Sequence, residues 1–479
     1  MNNHLTLLSF GVKWRGIFIL KKKGIIMLEK VFKLKENNTN VKTEVIGGIT
    51  TFMTMAYILA VNPQILSASG MDSQAILMAT AIASFIGTIV MALLANYPFA
   101  LAPGLGLNAY FAYTVVLQMG YSWQFALFAV FLEGLVFILL SLTNVREAIF
   151  NALPLQLKKG ISVGIGLFVA FIGLQNANLV VFSEATKVTI VSFKENFSTV
   201  GIGALLAVVG TLIIVILSVK NVKGAILIGI IAKWLLGIVC ELTGIYTVDA
   251  ANGFYSLLPA WSEFNLGAIG QTFGQCFSPD AFANVRWLDL FVIMCSFLMV
   301  DMFDTLGTVI GVANKAKMLD KDGKLPKVKE VLLADAIATS AGAVLGTSTT
   351  TTFVESSAGV SAGARTGLAS VVTGVLFLLS IFLSPVFCAI PGFATAPALI
   401  FVGFLMISAI VEIDLDDLTE AIPAYLCLIG MPLFYSISEG IVFGVVSYVI
   451  VNVFCGKSKK VTPLMYVLAV LFVLKYIFL

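Results

Sequence analysis

The sequence predicts an all-α polytopic membrane protein in which fourteen transmembrane segments form two inverted repeats of seven helices. Of its 479 residues, 59% are hydrophobic and 11% are charged, and the mean hydropathy is +1.01. A soluble protein carries charge on about a quarter of its residues, so most of this surface must face lipid. Apolar runs of spanning length recur along the chain, and Lys and Arg collect in alternate connections between them.

The elements follow from the positions of the apolar runs. A spanning helix needs about 20 mostly apolar residues, and charged or Gly/Pro/Asn clusters divide the chain into fourteen such segments. The polar and aromatic stretch 246–286 predicts an extracellular loop with short interfacial helices, and the last apolar run, 462–479, either spans the membrane or lies along its interface. The segments are 44–66, 74–95, 97–116, 122–141, 158–177, 199–218 and 223–245, then 287–313, 329–347, 349–365, 366–388, 394–412, 420–435 and 437–455.

Positive charge tests this division, because cytoplasmic loops of membrane proteins are enriched in Lys and Arg. With the N-terminus in the cytoplasm, the connections that fall outside contain only Lys187, Lys194 and Arg286. The five lysines between 315 and 327 fall inside, which requires eight segments before them. The charge pattern therefore favours seven segments in the first half and a cytoplasmic N-terminus.

Each half has an irregular third element. Two similar halves of seven segments would insert with opposite orientation, as in many secondary transporters. Residues 97–108 contain two Pro and two Gly, and residues 346–358 contain five Thr and three Ser. Non-helical backbone is tolerated at membrane depth only where protein or a water-filled cavity satisfies its polar groups. The two breaks therefore predict a substrate site at the midplane.

Acidic residues inside predicted spans are the main candidates for function, since each costs at least about 2.5–3.5 kcal/mol at a helix centre. Asp301 and Asp304 lie three residues apart in the eighth segment and share a face, which indicates a polar cavity or a proton-binding site. The structural alternative is hydrogen bonding between helices. Glu355 follows the Thr run of the tenth element, where unwound backbone and hydroxyl groups favour a functional role.

Other polar residues in the spans have two interpretations each. Glu133 is either a functional acid or a tie between its helix and the irregular backbone beside it. Asn108 is either a helix cap or a ligand for a heterocycle, since its amide both donates and accepts hydrogen bonds. Lys233 lies too deep to reach the membrane surface easily and has no functional account. The stripe of Thr50, Thr51, Thr54 and Tyr57 faces either the same cavity or a neighbouring helix.

The sequence offers no enzyme, metal or cofactor signature. His4 is the only histidine, and the six cysteines contain no C-x-x-C pair, so we expect no metal or haem site. The glycines at 104–106 follow no soluble strand, which excludes a dinucleotide loop, and a Walker motif is absent. A net charge of +3 is too small and too scattered to indicate nucleic-acid binding.

Four motifs carry a resemblance to a known family. They are Glu-Val-Ile-Gly-Gly-Ile-Thr-Thr-Phe-Met-Thr-Met-Ala-Tyr-Ile-Leu (44–59), Pro-Gly-Leu-Gly-Leu-Asn-Ala-Tyr-Phe-Ala (103–112), Asp-Met-Phe-Asp-Thr-Leu-Gly-Thr (301–308) and Thr-Thr-Thr-Phe-Val-Glu-Ser-Ser-Ala-Gly (350–359). With these motifs, and over nearly all of 28–479, the chain resembles the nucleobase transporter superfamily. The specific likeness is to its AzgA-like branch, permeases for adenine, guanine and hypoxanthine.

The resemblance implies a core domain, a gate domain and two short antiparallel strands, from elements 3 and 10, that meet at the midplane. The core domain would comprise helices 1–4 and 8–11, and the gate domain helices 5–7 and 12–14. The implied divisions are the cytoplasmic N-terminal extension 1–43, core 44–141, gate 142–245, extracellular loop 246–286, core 287–388, gate 389–455 and C-terminal apolar segment 456–479.

The resemblance also implies a set of site residues. The family's helix-8 acid falls on Asp304, its element-10 acid on Glu355, and its element-3 contacts on Gly106 and Asn108. A one-residue difference in register after Glu355 separates this chain from the uracil and xanthine branches. The remaining expected substrate contacts are Thr352, Phe353 and Ser356, and the proton-coupling candidates are Glu355, Asp304 and Asp301.

The function implied is import of purine nucleobases by proton symport with alternating access, in the cell membrane. The expected partners are a purine, protons, the lipid bilayer and, as in related folds, a second copy in a homodimer. The alternatives are an inorganic-anion or other small-solute carrier, a pyrimidine or xanthine permease, and a channel-like or receptor-like protein. Residues 1–26 depart from the family pattern, and we interpret them as the product of an upstream start codon chosen in error.

Overall fold

The computed structural model describes residues 27–142, 153–194, 197–249, 254–259, 261, 264–283, 285–318 and 325–478. Residues 1–26 lie outside the described residues, so their predicted origin is untested. Within the described ranges the chain is predominantly helical, and nine helices there are long and apolar enough to cross a membrane. This number is not a count of all spans, because the polar and broken elements do not meet that criterion.

Capping residues in the sequence set where several helices begin. Asn40 and Asp72 each accept a hydrogen bond from a backbone N–H three residues ahead, and Asp417 accepts one from the N–H of Thr419. The helices are α1 Val41–Met55, α2 Ile58–Ser67, α3 Ser73–Leu94, α4 Leu105–Ala109, α5 Trp123–Leu142, α6 Leu155–Asn176, α7 Ile202–Val219, α8 Ala225–Leu242, α9 Trp287–Lys315, α10 Val328–Leu345, α11 Ser356–Ser361, α12 Gly367–Leu379, α13 Ser384–Cys388, α14 Gly392–Ile407, α15 Leu418–Leu433, α16 Ile437–Phe454 and α17 Pro463–Phe478.

The helices pack in two groups. In the first, α10 packs on α3 and α5, α12 packs on α1 and α3, and α9 packs on α5. In the second, α14 and α15 pack on α6, α7 packs on α8 and α14, and α15 packs on α16. Glycines allow the close approach in the second group: a Cβ at Gly160 would lie 2.9 Å from the Ala424 Cα, and one at Gly403 2.4 Å from the Gly166 carbonyl oxygen.

Both irregular elements contain a strand, as the family resemblance implies. The strands β1 Leu101–Pro103 and β4 Thr350–Thr352 pair antiparallel, with Ala102 opposite Thr351. A second hairpin, β2 Val180–Ser183 with β3 Lys187–Ile190, lies between α6 and α7. The predicted loop 246–286 contains short 3₁₀ helices, at Leu266–Gln271, Gln275–Phe277 and Pro279–Phe282.

The C-terminal apolar run forms α17, which packs along α16 in the opposite direction. The two helices are joined by a short connection, and near the far end of α17 the Tyr476 hydroxyl donates a hydrogen bond to the Glu439 carboxylate, in the first turn of α16.

Candidate functional site

The strand pair is held in place by backbone and hydroxyl hydrogen bonds from both sides. The Gly104 N–H donates to the Thr349 carbonyl, and the Phe353 N–H donates to the Ala100 carbonyl, both at 3.0 Å. The Thr88 hydroxyl of α3 bonds both backbone polar groups of Leu101. In the same way, the Thr339 hydroxyl of α10 bonds both backbone polar groups of Thr350. Protein groups therefore satisfy the interrupted backbone, as membrane depth requires.

Glu355 lies three residues beyond β4, with only 8% of its surface exposed. Its carboxylate accepts a 2.8 Å hydrogen bond from the Tyr57 hydroxyl, and its carbonyl oxygen lies 3.5 Å from the Thr54 hydroxyl. The turn between α1 and α2 places Tyr57 there, since the helix is interrupted at residues 56–57. Part of the Thr and Tyr stripe predicted from the sequence therefore does face the same acid.

Asp304 is partly exposed on α9 and faces the second strand. Its carboxylate lies close enough to the Thr351 side chain and to Glu355 to interact with both. Thr351 is a site residue that the sequence reasoning did not single out, although it lies in the Thr run. The structure thus brings the two acids that were expected to form the site close enough to interact beside β4.

Asn108 and Thr352 keep unused hydrogen-bonding capacity next to the strands. The Asn108 side-chain carbonyl accepts a hydrogen bond from the Ser348 hydroxyl. Its Nδ2 group is buried and has no hydrogen-bond partner among the described residues, and the same holds for the Thr352 hydroxyl. Because unsatisfied buried polar groups are costly, both atoms are candidates to bind a polar ligand.

The other expected contacts have different surroundings. Gly106 lies between the two helix groups: a Cβ there would be 3.0 Å from Ile437 Cδ1 and 3.2 Å from Ile165 Cγ2. The Ser356 hydroxyl accepts a 3.0 Å hydrogen bond from the Ala100 N–H, so it supports β1. Phe353 is buried beside the strand. Glu133 accepts a 2.6 Å hydrogen bond from the Thr349 hydroxyl, as the structural interpretation of this residue requires.

Asp301 is linked through Thr305 to a second buried acid that the sequence reasoning missed. The Thr305 hydroxyl lies 2.9 Å from a carboxylate oxygen of Asp301 and 2.9 Å from one of Asp335, on α10. The signal for Asp335 was present, because it is an acid within the apolar run of predicted segment 329–347.

The charge of the site acids is not balanced by fixed cations in the part of the chain that the structure describes. There, neither Asp304 nor Glu355 forms an ion pair with Lys or Arg. The described residues also contain no cluster of His, Cys, Asp and Glu arranged to hold a metal ion. Hydrogen-bond donors of a ligand, or protons, are therefore the groups that can stabilise these carboxylates.

A cavity of about 1060 Å³ lies beside the 246–286 loop, and neither Asp304 nor Glu355 lines it. It is lined by Tyr110 and Tyr121, by the first turns of α9 and α16, and by Arg286 and Asp289. Tyr121 donates a hydrogen bond to Asp289. One of its lining residues, Tyr110, follows Asn108 by two positions in the sequence.

The fold is that of known membrane transporters. The transmembrane domain of a cyanobacterium bicarbonate transporter, BicA, matches with a TM-score of 0.62 over 85% of this chain and 97% of that domain, at 15% sequence identity. At this identity the likeness defines the fold only. The chain is therefore an integral membrane protein with a transporter architecture.

Sequence comparison identifies the family. The chain belongs to the permease family, whose sequence model matches residues 42–444, so the resemblance found in its motifs is confirmed and the protein is not an enzyme. It is 46% identical to the guanine/hypoxanthine permease PbuO of Bacillus subtilis over 446 residues, 92% of this chain and 98% of PbuO. It is also 41% identical to the adenine permease AdeP of Escherichia coli over 460 residues, 94% of this chain and 96% of AdeP.

Proposed function

We propose that this protein imports purine nucleobases, with hypoxanthine, guanine and adenine as the candidates, by proton symport and alternating access. One observation carries the proposal: Asp304 and Glu355 lie close enough to interact beside β4, where the helical backbone is interrupted. The permease relatives for adenine and for guanine/hypoxanthine support the choice of a purine. The positive charge of the connections supports a cytoplasmic N-terminus.

The chemistry of the site suits a purine. A purine presents N–H donors and ring acceptors along one edge, and a carboxylate accepts from the donors while an amide serves the acceptors. Glu355 and Asp304 supply carboxylates, and the unused Nδ2 of Asn108 supplies a donor. An inorganic anion would meet two acids and, among the described residues, no cation paired with them, which disfavours an anion carrier despite the shared fold.

The two helix groups support alternating access. We assign the core to 44–141 and 287–388 and the gate to 142–245 and 389–455, with Gly106 at the contact between them. The equivalent roles of Thr88 on β1 and Thr339 on β4 support two inverted repeats of seven segments. Movement of one group past the other would expose the strands to each side in turn.

Uptake competition tests the substrate. In cells that lack their own purine permeases, the protein should accumulate labelled hypoxanthine, and unlabelled hypoxanthine, guanine or adenine should compete. Uracil, xanthine and bicarbonate should not. Competition by uracil or xanthine alone would replace the purine proposal with the pyrimidine or xanthine alternative. Steady current without proton coupling would identify a channel.

Substitution of the acids tests the site. Glu355→Gln keeps the size of the side chain and removes the charge that accepts the substrate's N–H donors, so it should abolish uptake at an unchanged membrane level. Asp304→Asn should abolish uptake or weaken binding severely. Glu420→Gln, which alters an acid of the gate group, is the control. Wild-type uptake by Glu355→Gln would exclude Glu355 from the site.

A further inference from the structure

Two fully buried carboxyl groups share one hydroxyl in the core group. The Thr305 Oγ1 atom lies 2.9 Å from Asp301 Oδ1 on its own helix and 2.9 Å from Asp335 Oδ2 on α10. All three residues have 0% of their surface exposed. Both contacts have the length of an ordinary hydrogen bond between oxygen atoms.

The number of hydrogens in this contact is informative. A threonine hydroxyl has a single hydrogen, so it can give one full hydrogen bond or share that hydrogen between two acceptors. Two full hydrogen bonds of this length require that one of the carboxyl groups is protonated and donates to the hydroxyl oxygen. Two ionised carboxylates would leave one oxygen–oxygen contact without a hydrogen, and would place two like charges in a region of low polarity. The geometry therefore fits one proton held by the pair.

The surroundings of the pair are acidic. Of the titratable groups on the elements packed against α9 and α10, those near the middle of the core are Asp304, Glu133 and Glu355. Other charged groups lie at helix ends on those elements. They include Lys329 and Glu330 at the start of α10, Lys158 and Lys159 on α6, Glu439 on α16, Arg286 and Asp289 at the start of α9, and Lys315 at its end.

The two helices that carry the pair, α9 and α10, both pack against β4. On α9, Asp304 lies three residues after Asp301 and interacts with Thr351. On α10, Thr339 lies one turn after Asp335 and bonds the backbone of Thr350. A ligand that displaces β4 would move α9 relative to α10 and so change the two contacts of Thr305.

We propose that the buried pair Asp301–Asp335, bridged by Thr305, binds the proton that is coupled to substrate movement. This inference rests on the proposed proton symport. It separates two tasks: Asp304 and Glu355 bind the purine, and the pair beside them holds the proton. Asp335 is then a proton-binding residue without substrate contact.

Proteoliposomes that contain the Asp335→Asn variant test the proposal. The amide keeps the shape of the side chain but neither gains nor loses a proton at the pH of a transport assay. Exchange of labelled for unlabelled hypoxanthine should stay within about twofold of wild type, because exchange needs no net proton movement. Accumulation driven by an imposed pH gradient, and the pH change that accompanies uptake, should both be lost.

Substitutions of Thr305 supply the matched pair of variants. Thr305→Ser keeps the bridging hydroxyl and should keep coupling, whereas Thr305→Val removes it and should lose coupling while exchange continues. Thr373→Val removes a buried threonine hydroxyl from α12, which bonds the Gly48 carbonyl, and controls for the loss of such a group elsewhere. If Asp335→Asn does not fold, the two Thr305 variants decide the question.

The outcomes separate this inference from the proposed function. Full pH-driven accumulation by Asp335→Asn, or by Thr305→Val, would overturn the inference alone. Loss of exchange together with accumulation in a folded variant would assign the pair to the substrate site and would also overturn it. A wild-type protein that exchanges hypoxanthine but never accumulates it along a pH gradient would overturn proton symport itself, and the inference with it.

Discussion

The phenolic hydroxyl of Tyr57 donates a 2.8 Å hydrogen bond to the carboxylate of Glu355, although 298 residues separate the two along the chain. The contact joins the break in the first transmembrane segment to the break in the tenth. It orients the acid that we place at the centre of the substrate site, and it is buried.

Tyr57→Phe should therefore weaken substrate binding without preventing folding. A hydrogen bond to a charged group contributes about 1.5–3 kcal/mol, so we expect the KM for hypoxanthine to rise roughly tenfold or more. Tyr448→Phe removes a 3.1 Å hydrogen bond to Glu420 within the gate group and is the matched control. An unchanged KM in Tyr57→Phe, at equal membrane level, would show that Tyr57 does not orient the binding acid.

Gly106→Val should slow transport by obstructing the contact between the two helix groups. A Cβ at this position already meets Ile437 and Ile165 at 3.0 and 3.2 Å, and valine adds two methyl groups. Overpacking costs about 1–3 kcal/mol. The same cost added to the activation free energy of transport would lower the maximal rate about fivefold or more. Gly270 lies in the 246–286 loop, where a Cβ would meet nothing within 4 Å, so the Gly270→Val protein should transport normally. Equal rates for the two variants would contradict a moving contact at Gly106.

The cluster around Asp417 predicts a pH dependence of stability. This carboxylate caps α15 and accepts hydrogen bonds from the Thr419 hydroxyl and from the amines of Lys457 and Lys460, at 2.7, 3.0 and 3.1 Å. These hydrogen bonds hold the pKa of Asp417 well below its usual value, and the bond from Thr419 has the largest effect. Because the pKa is lower in the folded state, the stabilisation is complete above the unfolded pKa of about 3.9 and is lost as the pH falls below it.

Thermal unfolding in detergent checks this expectation. The difference in Tm between wild type and Asp417→Asn should be constant from about pH 5.5 to 8 and should shrink below about pH 4. Asp416→Asn, which changes the neighbouring acid, should show no such difference. A difference between wild type and Asp417→Asn that varies across neutral pH would mean that another group controls the cluster.

A substitution at Lys233 should compensate for a substitution at Gly210. The Lys233 side chain is fully buried in the gate group, donates a hydrogen bond to the Ala394 carbonyl and lies directly over Gly210. A Cβ at Gly210 would lie 1.5 Å from Lys233 Cδ, so Gly210→Ala should lower the yield of folded protein. Adding Lys233→Ala to Gly210→Ala should restore the yield of folded protein, since the effects of substitutions at contacting residues are not additive. Failure of the double variant to recover would show that the glycine is needed for another reason.

Several features followed from sequence patterns because their causes are local. Membrane insertion depends on the length and hydropathy of each segment, and both can be counted. The breaks at residues 97–108 and 346–358 follow from backbone preferences of Pro, Gly, Ser and Thr. The importance of Glu355 and Asp304 follows from the cost of burying charge, which holds whatever the neighbours are.

The sequence alone thus determined that this chain is a membrane protein with two interrupted elements and isolated buried acids, since each property depends on a short stretch of residues. The tertiary structure decided which distant groups meet: Tyr57 with Glu355, Thr351 with Asp304, and Thr305 with both Asp301 and Asp335. Hydrogen bonds need atoms within about 3 Å and in suitable directions, and segments far apart in sequence reach that precision only through the packing of whole helices.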